Sequence, residues 1–134
     1  MSDLPRALQQ AVFARLGADA ALAMLVGSRI YDEVPRNAVC PYVTLSEMDV
    51  QDKGTKSGDV LELSLTLHVW SVQNGMKETQ QILSALRDLL HNAPLTLSEG
   101  FVSRLQEEMS FGRRLADGRM RQGIARYRTV VSSS

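Results

Sequence analysis

The stretch DVLELSLTLHVW, residues 59–70, decides the fold. Successive side chains of an extended chain point to opposite faces. Leu61, Leu63, Leu65, Leu67 and Val69 therefore share one side, and Glu62, Ser64, Thr66 and His68 share the other. This is a strand with one face on a core and one face open to water or a partner. After SVQNG, residues 71–75, the period changes. Thr79, Ile82, Leu83, Leu86, Leu89 and Leu90 recur at helical spacing, with Lys77, Glu78, Gln81, Arg87 and Asp88 between them, so an amphipathic helix follows. Its apolar stripe has one obvious place to go, the leucine face of the strand before it.

Toward the N-terminus, residues 3–16 read as a helix. Ser2 or Asp3 can cap it, Pro5 suits its first turn, and Leu4, Leu8, Val12 and Leu16 form its stripe, with Gly17 as the stop. Asp19 caps a second, short helical piece through Leu25, ended by Gly27 and Ser28. Ile30 and Tyr31 suit a brief extended segment, while Pro35, Asn37 and Pro41 make residues 32–41 irregular. YVTLSEMDV, residues 42–50, alternates imperfectly as a strand. The loop QDKGTKSGD, residues 51–59, has two glycines and no apolar anchor, so it is expected to be mobile and longer than a tight hairpin needs.

Toward the C-terminus, Asn92, Ala93 and Pro94 end the helix, and residues 95–97 suit a short strand. Residues 101–111 alternate, placing Phe101, Leu105, Met109 and Phe111 on one side. Residues 122–131 form the last strand, with Ile124, Tyr127 and Val130 as its main apolar positions. Between them RRLADGRMR, residues 113–121, centres on the turn dipeptide Asp117-Gly118. The expected fold is a single α+β domain over residues 1–134. It has an N-terminal helix and a short helix, then a mostly antiparallel sheet of about four strands with one amphipathic helix packed on it. The long elements run helix, strand, strand, helix, strand, strand.

Composition fits that domain. The chain has 134 residues, 44% hydrophobic and 22% charged, as ordinary globular proteins do. No apolar run approaches the roughly 20 residues a bilayer needs, and no membrane association is expected. A single cysteine, Cys40, rules out an internal disulfide and points to a reducing compartment. MSDLPRALQQ lacks the basic start and apolar core of a secretion signal, so the expected site of synthesis and assembly is the cytoplasm. The overall charge is zero but unevenly spread. Residues 1–99 hold 8 Lys/Arg against 12 Asp/Glu, and residues 100–134 hold 7 Arg against 3 acids. An acidic body with a basic C-terminal part suits self-association between complementary surfaces. A pI near 6.7 and few aromatics among the arginines argue against nucleic acid as the primary ligand.

No catalytic set can be assembled. His68 and His91 lack any ligand spacing to a second histidine or carboxylate, and His91 is placed to complement the negative end of the helix. Cys40 has no histidine nearby and reads as a small buried or loop thiol. Glu47, Asp49 and Asp52 miss the calcium-loop pattern, and GTKSG, residues 54–58, is neither a phosphate-binding loop nor a nucleophile elbow. The protein is therefore expected to be no enzyme and to carry no cofactor or metal.

Two features are left. Trp70 sits on the polar face of the strand, where it either packs under a loop or beside Val72, or anchors an interface. Arg113, Arg114, Arg119 and Arg121 flank Asp117 around a hairpin tip, and Arg126 and Arg128 share a strand face that extends the patch. Such arginines either keep a turn soluble, or pair with carboxylates of a neighbouring subunit or touch passing phosphates.

The segment GSRIYDEVPRNAVCPYVTL, residues 27–45, carries a resemblance. Gly27, Arg29, Ile30 and Tyr31, then Val34-Pro35, then Pro41, Tyr42 and Val43 resemble the small tail-completion proteins of long-tailed bacteriophages, prophages and gene transfer agents. Leu65, Leu67, Val69, Trp70 and Ser71, a helix ending in Leu-Leu, and a last strand with Tyr127 and Arg128 agree in order. The resemblance implies a structural protein of the head-proximal end of a virion tail. It implies a terminator, a homohexameric ring that caps the tail tube protein and joins it to the head-side connector or stopper protein. DNA would pass through its lumen without specific binding. The arginine hairpin and Trp70 would then be interface residues, and Asp52, Lys53 and Lys56 would contact the tube or connector. A monomeric or dimeric head–tail adaptor or stopper is the alternative.

Overall fold

The computed structural model describes residues 3–54 and 60–133. Its elements are α1 (Leu4–Gly17), α2 (Ala20–Val26), β1 (Ile30–Tyr31), β2 (Tyr42–Asp52), β3 (Val60–Ser71), α3 (Lys77–Leu90), β4 (Phe101–Val102), β5 (Gln106–Arg114) and β6 (Arg121–Ser132). The α+β class and the order of the long elements are as expected. The strand count is not: among the described residues six strands form one mixed sheet. The two additions are two-residue strands, β1 parallel to β2 and β4 antiparallel to the end of β6.

β3 is the centre of the sheet. It pairs antiparallel with β2 on one side and, from Val60 opposite Ser132 to Ser71 opposite Arg121, with β6 on the other. Leu63, Leu65, Leu67 and Val69 are fully buried and join Val43, Leu45, Ala125, Tyr127 and Val131 in one core. Each such side chain contributes about 1.5–3 kcal/mol by leaving water. The stripe Thr79, Ile82, Leu83, Leu86 and Leu90 of α3 covers this face. Its closest approach is over β6, where Gly123 leaves room: a Cβ there would lie 3.0 Å from Thr79 Cγ2 and 3.1 Å from Leu83. α1 and α2 pack against α3 and add Leu4, Leu8, Val12, Leu16, Leu22 and Val26 to the core. Asp3 and Asp19 cap them, accepting from the N–H groups of Arg6 at 3.2 Å and Leu22 at 2.8 Å.

The third apolar face expected from alternation is broken. Leu105 is buried, but Phe101, Met109 and Phe111 are exposed. Residues 103–105 interrupt the strand, and a bulge between Glu107 and Met109 shifts its register against β6. Each interruption moves the following side chains to the other face. Ile124 and Val130 likewise lie opposite the face of Tyr127, and Val130 is exposed. The strand expected at residues 95–97 does not form. Leu95 and Leu97 pack on the core instead, and pairing begins after Gly100, whose φ of 77° turns the chain onto the end of β6.

The other face of the sheet carries no helix among the described residues. Its rows run Tyr42, Trp70, Gln122, Arg113; then Thr44, His68, Ile124, Phe111; then Glu47, Thr66, Arg126, Met109. No helix of the described residues is long and apolar enough to cross a membrane.

Candidate functional site

The arginine hairpin joining β5 to β6 is a defined turn. Leu115 N–H donates to Met120 O, and Gly118 N–H donates to Leu115 O. The Asp117 carboxylate accepts from the N–H groups of Arg119 and Met120, both at 2.9 Å. These two donors, with Arg119 and Arg121 nearby, pull its pKa below the ordinary carboxylate value. Gly118 takes a φ of 75°, as the turn dipeptide implies.

The six arginines expected to form one patch are divided in four. Arg114 and Arg119 are exposed and have no ion-pair partner among the described residues. Arg113 is exposed, but its Nε donates to Gln122 Oε1 at 2.9 Å. Arg121 is turned inward and 6% exposed; its guanidinium donates to the carbonyls of Gly118 and Arg119, while Nε has no partner. Arg126 and Arg128 do share the uncovered face, as expected, yet both are paired. Arg126 contacts Asp49 at 2.9 Å and Glu108 at 3.4 Å, and Arg128 contacts Glu62 at 3.0 Å. Alternation places side chains on a face, but the acids come from strands distant in sequence, so the pairing was not legible from spacing.

Opposite the hairpin, the sheet ends on β2. Only its first residues are covered by β1, through Val43 and Thr44. Beyond them a cleft of about 430 Å³ opens between α1 and β2, lined by Asp3, Arg6, Asp32, Glu47 and an apolar floor of Leu45, Met48 and Val50. Sequence reasoning missed this cleft. It follows from the bulge between Leu45 and Glu47, which ends the inward alternation of β2, and from the docking of α1, neither of which leaves a local pattern.

Among the described residues no three His, Cys, Asp or Glu side chains converge for a metal. Burial pushes the Cys40 thiol up, away from the reactive thiolate.

The model of the family described as tail completion protein gp17 matches residues 10–132. The chain belongs to this family. Among solved structures, it is similar to a chain of a native gene transfer agent virion particle, at 32% identity and a TM-score of 0.91, covering 98% of this chain and 99% of that one. No curated protein matches the sequence. This tail completion protein is a structural component of the virion tail rather than an enzyme, and its surfaces are those of an assembly part.

Trp70 of this tail completion protein lies in an aromatic row. Its ring stacks on Tyr42 at 6.4 Å and tilts against His68 at 5.9 Å, and Tyr42 meets Tyr31 at 5.8 Å. Gln122, only 4% exposed, accepts from Arg113 and so must present its amide N–H to His68 Nδ1 at 2.9 Å. Burial lowers the His68 pKa, which favours the neutral, accepting imidazole. His91 accepts the Glu107 N–H on Nδ1 and so ties β5 to the end of α3. Asp52 accepts the Gly54 N–H at 2.7 Å, and Lys53 approaches Glu62 at 4.0 Å. Lys56 and the rest of the loop at 55–59 lie outside the described residues.

Proposed function

We propose that this protein is a tail terminator: six copies close a ring on the end of the tail tube and present a face to the head-side connector. The observation that carries this reading is the match to the tail completion family and to a gene transfer agent virion chain over nearly all of both chains. A cyclic ring needs heterologous contacts, one surface meeting a different one. The charge division supports that, with the basic hairpin at one edge of the sheet and, at the other, Asp32 and Glu47 without ion-pair partners among the described residues. The uncovered face, whose Arg126 and Arg128 are balanced by acids, suits a channel through which DNA passes without being held.

Light scattering across concentration, with negative-stain imaging in the presence and absence of polymerised tail tubes, tests the reading. A ring of six subunits of 14.8 kDa has a mass of about 89 kDa. Rings of that mass, or caps on tube ends, are expected. A monomer or dimer that ignores tubes and binds a head connector would instead make it an adaptor or stopper.

A further inference from the structure

We infer that the arginine hairpin of one copy seats in the cleft between α1 and β2 of the next copy, an interface that rests on the ring reading above and gives it its two faces. The arm is built to be presented. Asp117 and Arg121 fix the turn from within, which leaves the Arg114 and Arg119 side chains exposed at its tip without ion-pair partners among the described residues. Leu115 and Met120, both half-buried, flank them.

The cleft is the matching surface. Asp32 and Glu47 on its rim are exposed carboxylates with no ion-pair partner among the described residues, and Arg6 is its one cation. Its floor of Leu45, Met48 and Val50 offers apolar area to the base of an incoming arm. Residues from both faces of β2 line it, so it opens on that strand's edge, where backbone groups beyond Thr44 have no neighbouring strand among the described residues. A partner hairpin can therefore add hydrogen bonds there as well as charge.

The arm cannot reach its own cleft. The sheet order places β6 and β3 between β5 and β2, a separation of about 14 Å at the usual strand spacing. Two complementary surfaces on opposite edges of one sheet make a head-to-tail contact, which closes into a ring or runs on as a filament.

The test is a reciprocal charge exchange. One variant carries Arg114→Glu with Arg119→Glu, and the other carries Asp32→Lys with Glu47→Lys. Each alone is expected to stay at 14.8 kDa and leave tubes uncapped, with unchanged circular dichroism and Tm. Mixed in equal amounts they are expected to form rings, because the reversed arm then meets the reversed cleft and the native arm meets the native cleft. Rings from either variant alone, or folded variants whose mixture makes none, overturn the inference while wild-type rings leave the terminator reading standing. A wild-type protein that forms no ring even on tubes removes that reading itself. Should a reversal lower Tm, the milder pair Arg114→Gln with Arg119→Gln and Asp32→Asn with Glu47→Gln keeps the question open to measurement. Each is expected to weaken rings relative to wild type, most at low salt where the lost charges are least screened, and no loss in either overturns the proposal.

Discussion

The Tyr127 hydroxyl of β6 donates to Glu107 Oε1 of β5 at 3.1 Å, and through Glu107 the sheet is tied to the helix layer. Glu107 is turned inward, with a side chain 5% exposed, and its other oxygen is held by Arg87 of α3. Its backbone N–H reaches His91 at the end of the same helix. One carboxylate thus joins β5, β6 and α3. Removing one partner of a buried charge leaves the rest unpaired and costs more than the contact itself was worth. Arg87, with a side chain 55% exposed, can turn to water, so the cost of Glu107→Ala lies mainly in the orphaned Tyr127 hydroxyl and is expected to be about 2 kcal/mol. Tyr127→Phe, which deletes only one neutral donor, is expected to cost about 1 kcal/mol. Urea unfolding measures both, and equal losses would show that Glu107 gains little from its burial.

The same pair sets an alkaline limit. Burial, then the Glu107 charge, holds the Tyr127 phenol well above the ordinary tyrosine range. Between the unfolded pKa of about 10 and the higher folded value, the unfolded chain binds fewer protons than the native one, so stability falls as pH rises. Below the unfolded pKa this contribution is fully present. Wild type is therefore expected to lose stability from about pH 10 upward, more steeply than Tyr127→Phe. Parallel curves for the two proteins would dissociate Tyr127 from the alkaline transition.

How far this was legible follows from the kind of signal each element leaves. The alternation of residues 61–69 and the stripe from Thr79 to Leu90 are local, and both faces formed where periodicity put them. The outward turn of Met109 and Phe111 was not visible, because a bulge is one extra residue with no composition of its own. The arginines were legible as a cluster but not as paired or free. Asp49 and Glu62, which occupy Arg126 and Arg128, stand 77 and 66 residues away in the chain. The cleft between α1 and β2 depends on the docking of two elements about 40 residues apart, which no local pattern encodes.

Gly112 and Gly123 let α3 approach the sheet, and they differ in what a methyl group would meet. At Gly123 it would press on Thr79 and Leu83, both fixed in the core; at Gly112 it would meet Met76 Cε, the free end of a flexible side chain, at 2.5 Å. Overpacking a core of fixed side chains costs about 1–3 kcal/mol. Gly123→Ala is expected to fall in that range, and Gly112→Ala below it. Thermal unfolding of both variants decides, and a reversed order would mean that the helix, not the side chain, gives way.

Arg121 acts on the arm from inside. Its guanidinium holds the Gly118 and Arg119 carbonyls, and its removal frees the turn without touching the exposed arginines. Arg121→Ala is expected to speed amide exchange at residues 115–120 and to cost about 1–2 kcal/mol. Exchange rates unchanged across the turn would show that Asp117 alone is enough to fix it.

The uncovered face is basic only if its acids are removed. Arg126 and Arg128 are matched by Asp49, Glu108 and Glu62, and such half-exposed pairs contribute little to stability, about 0–1 kcal/mol each. Their consequence is electrostatic. A cation already paired with a carboxylate releases few counterions on meeting a phosphate, so it adds little to DNA affinity. Replacing Asp49 with Asn, Glu62 with Gln and Glu108 with Gln keeps size and hydrogen bonding while freeing both guanidinium charges. The triple variant is expected to keep its Tm within a few degrees and to bind duplex DNA more tightly than wild type. Its log affinity should also fall more steeply with log salt, by about one for each phosphate newly contacted. Fluorescence anisotropy at several salt concentrations reads both quantities. An unchanged slope would mean that the face is screened by shape rather than by its own acids.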